Sequence, residues 1–458
     1  MIEALRDKIR VFFTEGNERS LLTKKNIASS FGIKGITILT SFVLVPMTID
    51  YVNAERNGIW LTLYSMIYWL NLFDIGLGSG MKNKLAEAKA HGEDDLAQKY
   101  VSSTYAIIFL ICAAIFALFC LINPHLDWMK ILKTANVAYA GEISALVWIF
   151  IAVFCFNFIL NPIKVVVAAD QRPAIGSLID MIGYLLTLAG VFILWKTAKP
   201  SLIYLGLVSG FAPILVYAGA SIFLFCGRYK KWRPSFRKVD FRLSGSLMTL
   251  GVKFFIATVA MIVVTQTLPT LIQRLSGGVE VTNYNNAFRL FSVAVNVMAI
   301  VILPYWSSFT DAYTKQDFAW MQNSMKNLYR FFIGLLVVQA VLLVLSPLIY
   351  FVWVNYWIDE PLKVSFGMSA AVCLLTCVLC WTNICIYPIN GIGKIKLQVI
   401  SSIAEIILMI PVALWLGKMW GTTGTILAPC VVYLPRSIWA PIQINKLIKQ
   451  KARGIWGE

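Results

Sequence analysis

Eight ionisable residues interrupt stretches that otherwise run apolar for about twenty residues at a time: Lys34, Asp74, Lys164, Asp180, Lys253, Arg289, Glu405 and Arg436. A charge at bilayer depth costs about 2.5–3.5 kcal/mol on insertion scales, so such residues face a protein interior or water. Available partners divide them into groups. Glu405 and Arg436 fall at similar depth in consecutive stretches, as do Lys164 and Asp180. Each of these pairs has two readings, mutual neutralisation between helices or an ion-coupling role for the acid. Lys34, Lys253 and Arg289 meet no acid at matching depth on the next stretch. Three cations around one cleft repel one another, and an anionic substrate relieves that repulsion. The competing reading of Lys34 and Lys253 is snorkelling towards the inner interface. Arg289 stands among Asn283, Asn285, Asn286 and Asn296, a composition that suits a wet wall. Asp74, in WLNLFDIGLGSGMKNK, either pairs with Lys34 or Lys82 at a helix end or takes up a proton or sodium ion during a cycle.

The elements that carry these charges follow from composition. Of 458 residues 59% are hydrophobic and 14% charged, where soluble domains carry roughly 25% charged residues. With a mean hydropathy of +0.73, a soluble class is excluded. The apolar stretches, each long enough for a hydrocarbon core of roughly 30 Å, predict twelve transmembrane helices. They lie at about 26–52, 57–80, 98–122, 139–168, 173–195, 201–226, 244–273, 283–312, 324–354, 364–388, 395–416 and 421–446. The first 25 residues hold six cations and no apolar run, so no signal peptide is expected, and Ile2, Leu5, Ile9 and Phe12 suggest an amphipathic cytoplasmic helix. Most of the 40 Lys and Arg then fall on the N-terminal side, which places both termini in the cytoplasm. This asymmetry accounts for the net charge of +17 without nucleic acid. The densest basic run, Arg228 to Arg242, joins the sixth span to the seventh and reads as an anchor against anionic lipid.

Six spans on each side of that run suggest a duplication. The first helix contains Gly-Ile-Lys at Lys34 and the seventh Gly-Val-Lys at Lys253; the fifth carries Asp180 and the eleventh Glu405. The expected organisation is a cytoplasmic segment 1–25, an N-lobe 26–226, a basic linker 227–243, a C-lobe 244–446 and a cytoplasmic tail 447–458. Because each half has an even number of spans, the lobes are related by a pseudo-two-fold along the membrane normal and enclose a central cleft.

Other chemistries find little support. Cys373, Cys377 and Cys380 share a helical face, but no His or acid stands near them, so they read as buried thiols. His91 and His125 are in loops, and no loop is large enough for a catalytic domain. Asp94-Asp95 reads as a solvated helix cap, and Trp69, Trp306 and Trp381 as packing residues or platforms for sugar faces.

The stretches NGIWLTLYSMIYWLNLFDIGLGSGMKNKLAEA, VTNYNNAFRLFSVAVNVMAIVILPYWSSFTDAY and NGIGKIKLQ…WAPIQINKLI resemble Wzx-type flippases, bacterial polysaccharide exporters of the multidrug/oligosaccharidyl-lipid/polysaccharide (MOP) superfamily. The resemblance extends over essentially the whole chain. It implies translocation of undecaprenyl-diphosphate-linked oligosaccharide (O-antigen, capsule or exopolysaccharide units) across the inner membrane by alternating access, with Lys34, Lys253 and Arg289 matching a cationic cavity. It further implies no bound cofactor, coupling to a proton or sodium gradient, and membrane lipids and polysaccharide assembly proteins as partners. The alternatives are a cation-coupled drug exporter of the same superfamily, which would want carboxylates in the cleft, and a membrane glycan polymerase or ligase.

Overall fold

A computed structural model describes residues 18–70, 77–134, 136–170, 172–243, 252–356, 358 and 361–457. Helices dominate these residues: α1 (Glu18–Val52), α2 (Ala54–Tyr68), α3 (Leu77–Ala90), α4 (Asp94–Ile122), α5 (Ala140–Leu160), α6 (Pro162–Ala169), α7 (Pro173–Thr197) and α8 (Leu202–Cys226). After the basic segment come α9 (Val252–Ser276), α10 (Gly278–Thr314), α11 (Phe318–Tyr350), α12 (Phe366–Ile392), α13 (Lys396–Val432) and α14 (Leu434–Ile448). No strand occurs among the described residues.

Local chemistry sets many of the boundaries. Asn53, at φ 71°, turns the chain between α1 and α2 and accepts a hydrogen bond from the Arg56 amide with its side chain. Asp317 and Ser365 cap α11 and α12 in the same way, and Gly393 ends α12 in the left-handed region. Asp94 and Asp95 occupy the first turn of α4, where the exposed amides favour negative charge. α13 is broken at Trp420 and Gly421, the latter at φ 59°, so this stretch holds two helices.

Nine stretches of the described residues are long and apolar enough to cross a membrane. They cover ten of the twelve expected spans, because Lys396–Ile448 contains two of them. The other two, 57–80 and 244–273, run through residues outside those described, as does most of the segment 1–25. The protein is an all-α polytopic membrane protein, and its surface agrees: Leu121, Phe223 and Val344 are exposed, as lipid-facing side chains are.

Two compact units divide the chain. The first comprises 1–47, 73–126 and 144–252; the second comprises 48–72, 127–143 and 253–458. In the first unit α7 packs along α8, and α3 against α4 and α6. In the second, α10 packs against α12 and α2, burying Phe291 and Leu290 with Val372 and Leu375 in one cluster and Met298 and Phe309 with Ile384 and Ile389 in another. Two segments from the first half of the sequence thus share a unit with the second half.

Candidate functional site

α10 distributes its polar residues by helical period. Asn283 and Asn286 are buried, whereas Asn285, Arg289 and Ser292 are half-buried and Asn296 is exposed. Residues 285, 289, 292 and 296 recur at steps of four, three and four, so they share one helical face, and Arg289 lies in the middle of it. The four asparagines are therefore not one wet wall: composition could not separate the packed face from the open one. Asn283 instead donates to Glu280 at 3.3 Å inside the unit.

Lys34 is exposed on α1, and no carboxylate among the described residues lies within ion-pair distance of it. Lys253 belongs to the first turn of α9; its side chain is outside the described residues. It shares the second unit with Arg289, while Lys34 belongs to the first. Asp74 falls at 71–76, outside the described residues.

Lys164, Asp180, Glu405 and Arg436 form two pairs. Lys164 on α6 donates to Asp180 on α7 at 2.9 Å, and Tyr217 on α8 donates to the same carboxylate oxygen at 2.6 Å. Lys164 also reaches the Tyr217 hydroxyl at 3.3 Å, so one triad joins three helices of the first unit. Arg436 on α14 meets Glu405 on α13 at 2.6 Å and donates to Ser402 at 2.9 Å, with Glu405 only 2% exposed. Burial this deep makes the pair geometry-critical, because neither charge has water to fall back on. Trp381 is likewise committed to packing: its indole donates to the Ser437 carbonyl at 2.9 Å and its ring sits against Tyr329 and Phe332. Cys373 and Cys380 are buried, and no group of three metal-ligating side chains occurs among the described residues.

Three features escaped the sequence. The first is a polar seam in the second unit, where α2 meets the junction of α9 and α10. Asn57 donates to Thr282 at 3.2 Å, Thr282 to the Ala54 carbonyl at 2.7 Å, and Gln273 to the Leu132 carbonyl at 3.2 Å, all from buried side chains. At its centre Gly58 faces Gly278 so closely that a Cβ on Gly58 would lie 1.8 Å from the Gly278 carbonyl oxygen. Beside it Arg56 pairs with Glu142 at 3.5 Å and lies 4.7 Å above the Tyr139 ring. Isolated small polar residues in apolar stretches are the only sequence signal for such a seam.

The second is Asp170, which follows α6. Its carboxylate is 5% exposed and gathers Lys89, Arg172 at 3.5 Å, Arg228 at 3.2 Å and the Tyr229 hydroxyl at 2.9 Å. Burial acts to raise its pKa, but the hydrogen bonds from Lys89 and Tyr229 outweigh it and hold the carboxyl below its ordinary value. Burial and the neighbouring carboxylate push Tyr229 up to about 12. A depressed carboxyl pKa stabilises the fold above the unfolded-state pKa and loses that contribution as pH falls through the folded-state value. Asp170→Ala is therefore expected to lower stability by about 1–3 kcal/mol at neutral pH, by stripping Tyr229 and three cations of their acceptor. The difference in Tm from the unaltered protein should shrink below about pH 4. An equal Tm difference at pH 7 and pH 3 contradicts the assignment.

The third is the basic segment after α8. Asp94 accepts from Lys231 at 2.8 Å and from the Trp232 indole at 2.9 Å, and Asp95 from Lys238. The acid pair, solvent-exposed in the first turn of α4, is thus also a docking point for the segment.

Comparisons with known proteins agree with this architecture. The family model described as "Polysaccharide biosynthesis protein" matches residues 23–310. A Salmonella typhi protein whose name assigns it to O-antigen transport is 22% identical over 281 residues, which is 61% of this chain and 63% of that relative. Among solved structures, an inward-facing multidrug resistance MATE family transporter of the MOP superfamily superposes with a TM-score of 0.72 at 13% identity, over 93% of this chain and 96% of the other. An outward-facing MATE family transporter of that superfamily gives 0.66 at 14% identity over the same shares of the two chains. A Vibrio cholerae MATE transporter gives 0.65 at 14% identity, over 95% of this chain and all of the other.

Proposed function

Because the chain belongs to the polysaccharide biosynthesis protein family, we propose that it is a flippase. Its cargo in this reading is an undecaprenyl-diphosphate-linked oligosaccharide repeat unit, an O-antigen or capsular unit, moved from the inner to the outer leaflet of the cytoplasmic membrane. Both termini and the 227–243 segment then lie in the cytoplasm. The observation that carries the reading is Arg289, half-buried on one helical face with Asn285, Ser292 and Asn296. A guanidinium that shares a helical face with amide and hydroxyl side chains suits a diphosphate followed by sugars. Lys34, exposed on α1, and Lys253 on α9 are the further cations assigned to the head group. A drug exporter for lipophilic cations fits less well, because Asp180 and Glu405 are already engaged by Lys164 and Arg436.

Alanine at Lys34, Lys253 or Arg289 tests this. Each removes a charge-assisted contact worth about 1.5–3 kcal/mol, which weakens retention of the diphosphate roughly ten- to a hundredfold. The variants should reach the membrane at normal abundance yet fail to restore surface polysaccharide in a deletion strain, with complete lipid-linked units accumulating on the inner leaflet. Arg289→Lys should retain part of the activity, since it keeps the charge and loses the fork geometry. Full complementation by all three alanine variants at native expression would sink the anionic-cleft mechanism.

A further inference from the structure

The basic segment between α8 and α9 is pinned rather than slack. Its backbone is tied to α4 at three points: Gln98 donates to the Arg233 carbonyl at 2.9 Å, the Ser235 amide to Ser102 at 3.0 Å, and the Asp240 amide to Ser103 at 2.9 Å. Tyr229 and Trp232 turn inwards and stack, with ring centroids 5.5 Å apart. Acids hold three of its cations, Arg228 by Asp170, Lys231 by Asp94 and Lys238 by Asp95. Lys230, Arg233, Arg237 and Arg242 have no carboxylate partner among the described residues. Between Arg233 and Arg237 the ring of Phe236 is 98% exposed.

The depth of Phe236 follows from α4. Residues 94–104 of that helix are mostly polar, and the apolar stretch 105–122 is about 27 Å long at 1.5 Å per residue, close to one hydrocarbon thickness. Ser102 and Ser103 therefore sit in the last turn before the hydrocarbon, at the headgroup layer. Ser102 holds the Ser235 amide, so the neighbouring Phe236 is fixed at that same level. A bare aromatic ring at headgroup depth, flanked by cations that no protein acid neutralises, is the composition of an interfacial anchor.

We propose that this face of the segment is a docking surface for anionic lipid, with Phe236 entering the headgroup–acyl boundary and Arg233, Arg237, Lys230 and Arg242 taking lipid phosphates. Charge decides the occupant: four unneutralised cations select against zwitterionic headgroups and against another basic surface such as a second copy of this chain, whose net charge is +17. The structure thereby divides one basic run into cations that hold the fold and cations that face the lipid. This role is independent of the cargo carried.

Photo-crosslinking tests it on the full chain. Phe236 is replaced by p-benzoylphenylalanine, and the protein is placed in nanodiscs of phosphatidylcholine containing a minority of phosphatidylglycerol, then irradiated and analysed by mass spectrometry. The exposed position tolerates the larger ring, and monodisperse elution verifies the fold. Lipid adducts should form, with phosphatidylglycerol enriched at least about fivefold over its mole fraction, the preference expected from a single cation near an anionic surface. Adding Arg233→Gln and Arg237→Gln should cut that enrichment while leaving adducts with phosphatidylcholine. Adducts confined to the chain itself or to a second copy would overturn the proposal, as would no lipid adduct. Phosphatidylglycerol captured only at its mole fraction would also overturn it.

Discussion

Glu405→Ala should cost the protein about 3–5 kcal/mol and remove most of the folded material from the membrane, because it leaves a cation buried without its counter-charge. Arg436 has a side chain only 11% exposed, and its Nη2 atom touches Glu405 at 2.6 Å and Ser402 at 2.9 Å. With the carboxylate gone, only the neutral Ser402 hydroxyl and the Tyr433 ring, 5.2 Å from the guanidinium, are recorded against it. Arg436→Ala should be similarly damaging from the other side. The double variant Glu405→Met with Arg436→Met is expected to recover much of the loss, since two apolar side chains of comparable length carry no desolvation cost. Thermal unfolding of detergent-purified protein measures this, with membrane abundance as a second reading. A Tm for Glu405→Ala within a degree or two of the unaltered protein would show that the pair holds nothing. Should the double variant fold normally but fail to restore surface polysaccharide in a deletion strain, the pair acts in the proposed transport rather than in packing alone.

Gly58→Val is the second large effect. A Cβ at this position would stand 1.8 Å from the Gly278 carbonyl oxygen, and the obstruction is backbone, which has no rotamer to turn away. The two helices must part by more than an ångström, and the buried bond from Asn57 to Thr282 at 3.2 Å lies beside the contact. Overpacking of this kind costs about 3 kcal/mol, with unsatisfied polar groups adding to it. Gly219→Ala is the control, because a Cβ there meets nothing within 4 Å and α8 should tolerate or welcome it. A Tm for Gly58→Val equal to that of the unaltered protein would mean that the close approach is not a constraint on the fold.

The sequence by itself determined that this is a helical membrane protein, because an apolar run long enough to span lipid has one stable backbone solution when every amide must bond within its own segment. It also determined which charges lie within apolar stretches, and proposed pairs for Lys164 with Asp180 and Arg436 with Glu405, since depth along a helix follows from residue count alone. Tertiary structure decided what lies across from each residue. Asn283 and Asn285 are indistinguishable by composition, yet α10 turns one into the packed interior and leaves the other half-open beside Arg289. Asp94 and Asp95 read as a solvated cap, and only the fold shows the chain returning, more than a hundred residues later, to set Lys231 and Lys238 upon them. Gly58 and Gly278 carry no signal of each other in one dimension, because a backbone-to-backbone approach depends on how two helices cross. The same holds for Asp170, whose partners come from α3, the turn after α6 and the segment that follows α8. Periodicity and depth are properties of one helix; the choice of partner is a property of packing.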